Sequence, residues 1–448
     1  MPNPIGLVRA ESSITKARTS YAAAFRGLAI VGTLLLASCG SSGKSGGGAD
    51  DCSSGCKLIP ADVLAGDTFG FAAALDGDAL VIGSAATKDD VNSVGAAYIY
   101  RLQKNGWRLE DKLVADDGGA FDLGGSSVAI SGDVVVIGVS EDDSIDETDP
   151  DVPIITPNLG SAYVYRFDGD VWTQEQKLEA SDMAATDFFA TSVSISGSVI
   201  ASGAPFNDDT AVSTGSVYMF RYDGATWIEE AKLNADDATA SDQFGTAVAL
   251  DGEVLAVGAP IDSANGFLTG STYVFRYDGA DWNQEQKLVT DDAAAFDIFG
   301  TSLDISGDVI VVSALLQDEA GQQAGAVYVY RYNEDSIPLP WVFEKKLLAS
   351  DASAFDYFGS SVTVDGDTIV VGAILDDDGG SRSGAAYVFR YDAVSKTWAQ
   401  DEKLTARDGD TGDNFGSAVS IQGETVVIGA AQDQDQAPGA GSAYVFDL

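Results

Sequence analysis

Hydrophobic and polar residues alternate along short segments of this chain, and the segment from Asp242 to Leu288 shows the pattern clearly. Thr246 to Leu250 alternate between small and apolar side chains, and Glu253 to Val257 form a second apolar run. Ser271 to Tyr277 and Trp282 to Leu288 continue the alternation, separated by an Asp-Gly dipeptide that is typical of tight hairpins. Alternation over four to eight residues indicates a half-buried strand, so this segment predicts four short strands.

The same pattern recurs along the chain every 55 to 65 residues. Each copy has a Lys-Leu pair, an aspartate ten residues later that opens an Asp-x-Phe-Gly-like motif, and a small residue sixteen residues after that aspartate. The lysines are Lys57, Lys112, Lys177, Lys232, Lys287, Lys346 and Lys403; the aspartates are Asp67, Asp122, Asp187, Asp242, Asp297, Asp356 and Asp413; the small residues are Gly83, Gly138, Gly203, Gly258, Ser313, Gly372 and Gly429. Repeats of this length predict an all-β, seven-bladed β-propeller with four antiparallel strands per blade. The alternative is a β-solenoid, whose coils are usually much shorter.

The tryptophans predict how the ring closes. All six lie on predicted fourth strands, and the seventh copy stops after its third strand at Tyr444-Val445-Phe446. The missing Lys-Leu pair stands at the other end of the repeats, as Lys57-Leu58. We therefore expect the N-terminal strand to complete the last blade, which hides the open sheet edges at the seam.

The recurring motif residues have a structural explanation. Glycines such as Gly245 suit a positive φ or a close approach of two backbones, and the phenylalanine before each can wedge between blades. The recurring aspartate is expected to accept backbone N–H groups in its turn, with a ligand role as the alternative. Gly124, Ala190 and Ser313 replace motif residues without changing the spacing.

The charge of the chain limits its partners. It has 69 acidic and 25 basic residues, a formal charge of −44, and no histidine. This charge repels nucleic-acid phosphates, so we expect no nucleic-acid partner; a saline habitat would also explain it. Without histidine the chain lacks the usual general base and metal ligand, so we expect no enzymatic activity. The alternative is a carbohydrate-active hydrolase or lyase that uses paired carboxylates.

The N-terminal segment has the organisation of an export signal. Its apolar stretch, Gly27 to Leu36, is too short to span a bilayer. The tetrapeptide Leu36 to Cys39 resembles the lipobox of bacterial lipoproteins, in which the cysteine is lipidated. The basic residues of this segment are Arg9, Lys16, Arg18 and Arg26.

We therefore predict a lipoprotein signal peptide over residues 1–38 and a Gly/Ser-rich tether over 39–56, with Cys39 as the lipid anchor. An ordinary transmembrane or cytosolic start is the alternative. The protein would then be exported and held on the bacterial cell envelope, at the outer membrane or cell surface, through its lipid only. In an oxidising compartment, Cys52 and Cys56 are candidates for a local disulfide.

The motifs also resemble a known family. Phe244-Gly245 followed by Gly258-Ala259-Pro260 resembles the FG-GAP repeat of integrin α-chain propellers. The wider pattern KLxxxDxxxxDxFGxSVxISGDxVVIGA is similar to bacterial FG-GAP repeat proteins, which are often predicted surface lipoproteins. The likeness covers residues 57–448 and implies a seven-bladed FG-GAP propeller.

Integrin-type blades often hold calcium between their first and second strands, but here that connection is a short turn such as Asp251-Gly252-Glu253. A turn of this length cannot wrap a cation that takes six to eight oxygen ligands. The loops after strands two and four are acidic and share one face, so their carboxylates are candidates for Ca²⁺, with a solvated, salt-adapted rim as the alternative. The candidate metal ligands are Asp208, Asp209, Asp376, Asp377 and Asp378.

One loop breaks the regularity of the repeats. The distance from the small residue after strand two to the arginine of strand three is 18 residues in five blades, whereas Gly138 to Arg166 spans 28. The ten extra residues fall within Glu141 to Leu159. Because loops carry function, we place the ligand-binding candidates here, with a neutral insertion as the alternative. They are Glu141, Asp142, Asp143, Asp146 and Asp149.

The sequence thus predicts a surface-anchored, monomeric binding or adhesion module. Its expected partner is a cell-surface or extracellular protein or glycan, recognised through the acidic loops of one face. Calcium is the candidate cofactor.

Overall fold

The computed structural model describes residues 55–89, 92–119, 122–146 and 154–448. In these residues the strands form seven four-stranded antiparallel sheets and two two-stranded hairpins. The innermost strand of each sheet packs against the innermost strand of the next, which closes a ring of seven blades. The predicted all-β, seven-bladed propeller is confirmed.

In chain order the strands are β1 (Cys56–Leu58), β2 (Phe69–Asp76), β3 (Ala79–Ser84), β4 (Lys88–Asp89), β5 (Asn92–Ser93), β6 (Ala96–Gln103), β7 (Gly106–Leu113), β8 (Ser127–Ser131), β9 (Val134–Val139), β10 (Ser144–Asp146), β11 (Ile154–Thr156), β12 (Ser161–Phe167), β13 (Trp172–Leu178), β14 (Ser192–Ser196), β15 (Val199–Ala204), β16 (Ser216–Tyr222), β17 (Trp227–Leu233), β18 (Ala247–Asp251), β19 (Val254–Ala259), β20 (Ser271–Tyr277), β21 (Trp282–Leu288), β22 (Phe299–Ser306), β23 (Val309–Ala314), β24 (Ala326–Tyr332), β25 (Trp341–Leu347), β26 (Phe358–Asp365), β27 (Thr368–Ala373), β28 (Ala385–Asp392), β29 (Thr397–Leu404), β30 (Phe415–Gln422), β31 (Thr425–Ala430) and β32 (Ser442–Asp447). A short 3₁₀-helix, Glu334–Ser336, lies between β24 and β25.

From the inner to the outer strand, blade one is β2-β3-β6-β7 and blade two is β8-β9-β12-β13. Blades three to six follow in chain order as β14 to β17, β18 to β21, β22 to β25 and β26 to β29. Blade seven is β30-β31-β32-β1, so its outer strand comes from the N-terminal side of the propeller. The hairpins β4-β5 and β10-β11 extend the loops after the second strands of blades one and two.

Burial depends on the position of a strand within its blade. The second strand of blade four, β19, is buried at all six residues because neighbouring blades cover both of its faces. The third strand, β20, is buried over its first five residues and ends with the half-buried Arg276 and Tyr277. The core lies between blades, because one buried cluster joins Val217 and Leu233 of blade three to Phe244 and Tyr273 of blade four. Phe244 of the motif is fully buried and packs edge-on against Tyr273 of its own blade, with 5.5 Å between ring centroids.

Strand β1 closes the ring as predicted. It pairs antiparallel with β32, with Lys57 opposite Tyr444 and Leu58 opposite Ala443. On the inner side of the seam, the N–H of Phe69 donates to the carbonyl of Ala440 at 2.9 Å.

At five of the seven junctions between blades, a pair of glycines allows the two backbones to approach closely. Gly300 has a φ of 97°, and a Cβ on Gly258 of the preceding blade would lie 2.0 Å from the Gly300 carbonyl oxygen. The predicted roles of these glycines, positive φ and close backbone approach, are thus confirmed. Ala190 keeps the left-handed conformation in blade three with a φ of 63°.

Four side chains join blades four and five at the outer rim. Arg276 Nε lies 2.8 Å from Glu285 Oε1, and its guanidinium lies 4.9 Å from the centroid of the Tyr332 ring. Trp341 Nε1 of the next blade donates to Glu285 Oε2 at 3.0 Å. We call this arrangement the rim clamp. The tryptophan-to-glutamate bond recurs at Trp172–Glu110, Trp227–Glu175, Trp282–Glu230 and Trp398–Glu344.

The turns between first and second strands form a closed ring of hydrogen bonds. Asp251 Oδ2 accepts from the N–H of Gly307 in the next blade at 2.8 Å. The other acceptor–donor pairs are Asp76–Gly132, Ser131–Gly197, Ser196–Gly252, Ser306–Gly366, Asp365–Gly423 and Gln422–Gly77. These short turns thus connect each blade to the next, including blade seven to blade one.

Candidate functional site

The loops after the second and fourth strands lie on one side of the ring, which we call the loop face. In blade four they are residues 260–270 and 289–298. The acidic residues predicted from the sequence to bind ligand or metal belong to loops of this face. The structure shows that many of these acids already have a partner, because each blade places a lysine among them.

In blade four, Lys287 on the outer strand connects three other parts of its blade. Its Nζ lies 2.6 Å from Asp237 Oδ2, in the connection that enters the blade, and 2.6 Å from Asp262 Oδ2, in the loop after the second strand. The Tyr273 hydroxyl on the third strand lies within hydrogen-bond distance of both carboxylates, at 2.8 Å from Asp237 Oδ1 and 3.1 Å from Asp262 Oδ2. We call such a group a lysine cluster.

The lysine cluster recurs in all seven blades. Each lysine pairs with an aspartate of the entering connection, and these pairs are Lys112–Asp62, Lys177–Asp117, Lys232–Asp182, Lys287–Asp237, Lys346–Asp292, Lys403–Asp351 and Lys57–Asp408. Every one of these aspartates stands five residues after a Lys-Leu lysine. That constant spacing is the signal from which the pairs could have been found.

A second position of the cluster is buried in every blade but varies in chemistry. It lies four residues after the small residue near the end of the second strand. Its occupants are Thr87, Asp142, Asn207, Asp262, Gln317, Asp376 and Asp433. Where it is an aspartate, the lysine ammonium lies 2.6 to 2.8 Å from the carboxylate.

The recurring motif aspartates form a separate set with a structural role. Asp356 is 4% exposed and its Oδ2 accepts from the N–H of Ser353 at 2.6 Å. Asp242 accepts in the same way from Thr239, and Asp297 from Ala294. Burial raises the pKa of Asp356 to about 6, although the bond from Ser353 opposes the shift. The predicted scaffold role of these aspartates is confirmed.

The candidate metal ligands lie in two different blades. Asp209 pairs with Lys232 in blade three, and the Asp208 carboxylate accepts from the N–H of Ser213. Asp376 and Asp378 of blade six lie close together, whereas Asp377 is not part of their group.

In blade six the carboxylates of Asp351, Asp376 and Asp378 lie within 4.8 Å of one another, the one such group among the described residues. Lys403 Nζ stands among them, at 2.8, 2.8 and 2.7 Å. A divalent cation there would have to displace the ammonium. Calcium binding stays a prediction.

The blade-two insertion borders a pocket on the loop face. The pocket has a volume of about 310 Å³. Of the predicted ligand-binding residues, Asp142 and Asp143 line it, whereas Asp149 lies outside the described residues. Asp142 is buried against Lys177, and Asp143 Oδ1 accepts from the N–H of Asn158 at 2.7 Å. The full lining is Asp117, Asp142, Asp143, Leu159, Ser161, Lys177, Glu179 and Met183.

Two further residues predicted to bind ligand lie near the start of the insertion. Asp146 ends β10, the first strand of the insertion hairpin, and Glu141 is half-buried just after β9. Glu141 is not among the residues that line the pocket.

Two exposed phenylalanines also lie in contact on the acidic loop face. Phe267, in the loop after β19, and Phe296, in the connection after β21, meet edge-to-face with 5.2 Å between ring centroids. Their exposed fractions are 55% and 50%, although both are large apolar side chains. The sequence analysis did not single them out, because neither belongs to the repeating motif.

The fold and the repeated clusters define a class of protein: a seven-bladed β-propeller whose sequence repeat runs from the outer strand of one blade to the third strand of the next. A family model described as FG-GAP repeat matches seven segments with this phase. They are residues 54–100, 107–165, 172–220, 227–275, 282–330, 341–389 and 398–446. The chain belongs to the FG-GAP repeat family.

The propeller is also similar to solved structures. A chain in the crystal structure of a mitotic checkpoint complex superposes with a TM-score of 0.51 at 10% identity, over 93% of this chain and 99% of that chain. At this identity the likeness shows the fold alone. No curated protein matches the sequence.

The predicted membrane attachment is not tested by the fold. Residues 1–38, Cys39 and Cys52 lie outside the described residues, so the signal peptide and the lipid anchor stay predictions. Among the described residues, no helix has the length and apolar character needed to cross a membrane. Cys56 is disulfide-bonded, and its pairing with Cys52 stays a prediction.

Proposed function

We propose that this protein is a binding or adhesion module that recognises a cell-surface or extracellular protein or glycan through its loop face, at the blade-two pocket. The observation that carries the proposal is the coincidence of the pocket with the loop that breaks the regularity of the repeats. The lysine cluster recurs in all seven blades, whereas the ten-residue insertion occurs in blade two alone. A recognition site on a repeated scaffold needs a feature that the other blades lack, and the pocket supplies one.

The lining of the pocket suits recognition of a polar group next to an apolar one. The carboxylates of Asp117, Asp143 and Glu179 can accept hydrogen bonds from hydroxyl or N–H donors. Leu159 and Met183 supply apolar walls, and methionine adapts easily to different shapes. A glycan hydroxyl or a protein N–H group would find acceptors there.

Binding without turnover fits the pocket better than glycan hydrolysis. A glycosidase acid needs a raised pKa so that it can donate a proton. Burial alone would raise the pKa of Asp117, but hydrogen bonds from Lys177 and Tyr163 outweigh it and lower the pKa below its ordinary value. Asp117 would therefore stay ionised, and we propose no catalytic role for it.

The proposed setting is outside the cytoplasm. The lipobox-like Cys39 and the tether that follows it support attachment to the cell envelope by an N-terminal lipid. A monomer on such a tether would present its loop face to molecules outside the cell.

The proposal is tested by capture of surface components on the immobilised full-length chain. The wild type is compared with the double variant Asp143→Asn/Glu179→Gln, which neutralises two pocket carboxylates. The matched control, Glu253→Gln/Asp281→Asn, removes the same charge from two exposed residues of turns on the opposite face. We expect the wild type and the control to retain a protein or glycan that the pocket variant does not retain. Equal retention by all three would contradict the proposed site, and cleavage of a retained glycan would contradict the proposed lack of turnover.

A further inference from the structure

The lysine clusters differ in how many carboxylates surround the ammonium. In blade four, Lys287 contacts Asp237 and Asp262, and the residue at the third position of the loop is Ala264. In blade six that third position is Asp378, so Lys403 contacts three carboxylates instead of two. The two blades share the same scaffold and therefore form a natural comparison.

The distances between the carboxylate oxygens of the blade-six cluster match those of an occupied cation site. Its carboxylate oxygens lie within 4.8 Å of one another, which is about twice the 2.3–2.6 Å at which oxygen binds calcium. Asp376 is buried while Asp351 and Asp378 are exposed, so the group opens to solvent on one side. The ammonium of Lys403 stands 2.7 to 2.8 Å from each carboxylate, and this marks the position that a cation prefers.

The ammonium is held there firmly. Burial works against its charge, but hydrogen bonds to Asp351, Asp376 and Asp378 outweigh burial and raise the pKa of Lys403 above its ordinary value. The lysine thus remains charged at neutral pH. Because it is part of the chain, its local concentration is fixed and dilution does not remove it.

We propose that Lys403 is the resident cation of this cluster and keeps divalent metal ions out, so that a neutral side chain at position 403 would open a calcium site formed by Asp351, Asp376 and Asp378. A calcium ion cannot share three carboxylates with an ammonium at this distance, because the two cations repel each other strongly there. The blade-six loop then keeps its geometry without a calcium ion, because the ammonium of Lys403 neutralises part of its negative charge. This inference concerns the scaffold and does not depend on the proposed partner.

Three full-length proteins test the proposal: the wild type, Lys403→Met and the matched control Lys287→Met. Methionine keeps the length and apolar stem of the side chain and removes the charge. Thermal melting is measured in EDTA and in millimolar calcium, and terbium luminescence reports directly on a bound ion at the cluster.

We expect the wild type to melt at the same temperature in both media. Lys403→Met should melt lower in EDTA and regain several degrees in calcium, and its terbium affinity should exceed that of Lys287→Met at least tenfold, since the control leaves two carboxylates instead of three. Calcium that raises the wild-type melting temperature as much as that of Lys403→Met would overturn the proposal. So would equal terbium affinity in the two variants. If Lys403→Met does not fold, Lys403→Gln replaces it, and terbium affinity equal to that of Lys287→Gln would again overturn the proposal.

Discussion

The Lys57 ammonium lies 2.7 Å from the Asp433 carboxylate, and this contact joins the first described strand to the loop after the second strand of the last blade. The Asp433 side chain is 2% exposed. Lys57 also pairs with Asp408 and Asp435, at 3.0 and 2.6 Å. The lysine cluster of blade seven is therefore the point at which the two ends of the propeller are connected by charge.

The attachment of β1 to blade seven depends on the lysine cluster more than the attachment of the outer strand does in the other blades. At the rim of blade seven, Asp447 takes the place of the arginine of the rim clamp, and Gly55 takes the place of its glutamate. Strand β1 is three residues long, whereas the other outer strands have seven or eight.

Replacing Lys57 should therefore destabilise the whole propeller. We expect Lys57→Met to lower the free energy of unfolding by roughly 3–5 kcal/mol, because it leaves the carboxylate of Asp433 buried without its partner. Denaturant unfolding of the full-length chain measures the loss. The matched control is Lys346→Met, whose paired carboxylates on Asp292 and Glu319 are about half exposed and whose buried neighbour is the neutral Gln317. It should lose about 1 kcal/mol or less, and equal losses in the two variants would contradict the proposed role of Asp433.

The motif aspartates predict an unusual dependence of stability on pH. Because burial raises the pKa of Asp356 to about 6 in the folded chain, folding favours its protonated form. Its contribution to stability is then fully present below its ordinary pKa near 4 and is lost as the pH rises through about 6. Asp356→Asn should therefore gain stability relative to the wild type between pH 4 and pH 7, measured as the difference in melting temperature. A difference that stays constant or falls over this range would contradict the assignment.

Asp351 is the control, because its pKa is shifted in the opposite direction. Burial opposes the shift, but hydrogen bonds from Lys403 and Tyr387 outweigh it and hold the pKa of Asp351 below its ordinary value. Its stabilising contribution is present above the ordinary pKa and disappears as the pH falls below it. Asp351→Asn should therefore lose stability relative to the wild type as the pH rises from about 3 to 5.

The rim clamp predicts a moderate effect at a junction between blades. Glu285→Gln removes the charge that pairs with Arg276 and weakens the acceptor for Trp341. We expect a loss of about 1–2 kcal/mol in the free energy of unfolding, since both bonds are half-buried. Glu402→Gln, an exposed residue of β29, should change stability by less than about 0.5 kcal/mol. If chemical denaturation shows no difference between these two variants, the clamp has no energetic role.

The architecture could be predicted because the motif recurs at a constant spacing along the chain. Constant spacing from Lys57 to Asp67 and from Asp67 to Gly83 recurs in every blade, and the fixed length requires the same backbone path each time. The role of β1 could be predicted by counting strands, because no fourth strand follows the third strand of the last repeat, Tyr444 to Phe446.

The site was harder to predict because its partners are distant in sequence. Asp376 is one of three consecutive aspartates, a pattern that predicts an exposed side chain. In the fold its carboxylate is buried against Lys403, whereas Asp377 is exposed. Phe267 and Phe296 meet only because the fold brings the loops after β19 and β21 together. Side-chain direction in a loop is set by tertiary packing, which local sequence patterns do not record.

The central claim is that the loop face carries the recognition surface, and site-specific photo-crosslinking tests it most directly. A photoreactive amino acid is placed at Glu179, which lines the pocket, and in a separate protein at Glu253, which is exposed on the opposite face. Each full-length protein is then irradiated in the presence of intact cells of its source. We predict a discrete crosslinked product from position 179 and none from position 253. The same product from both positions, or a product from position 253 alone, would contradict the claim.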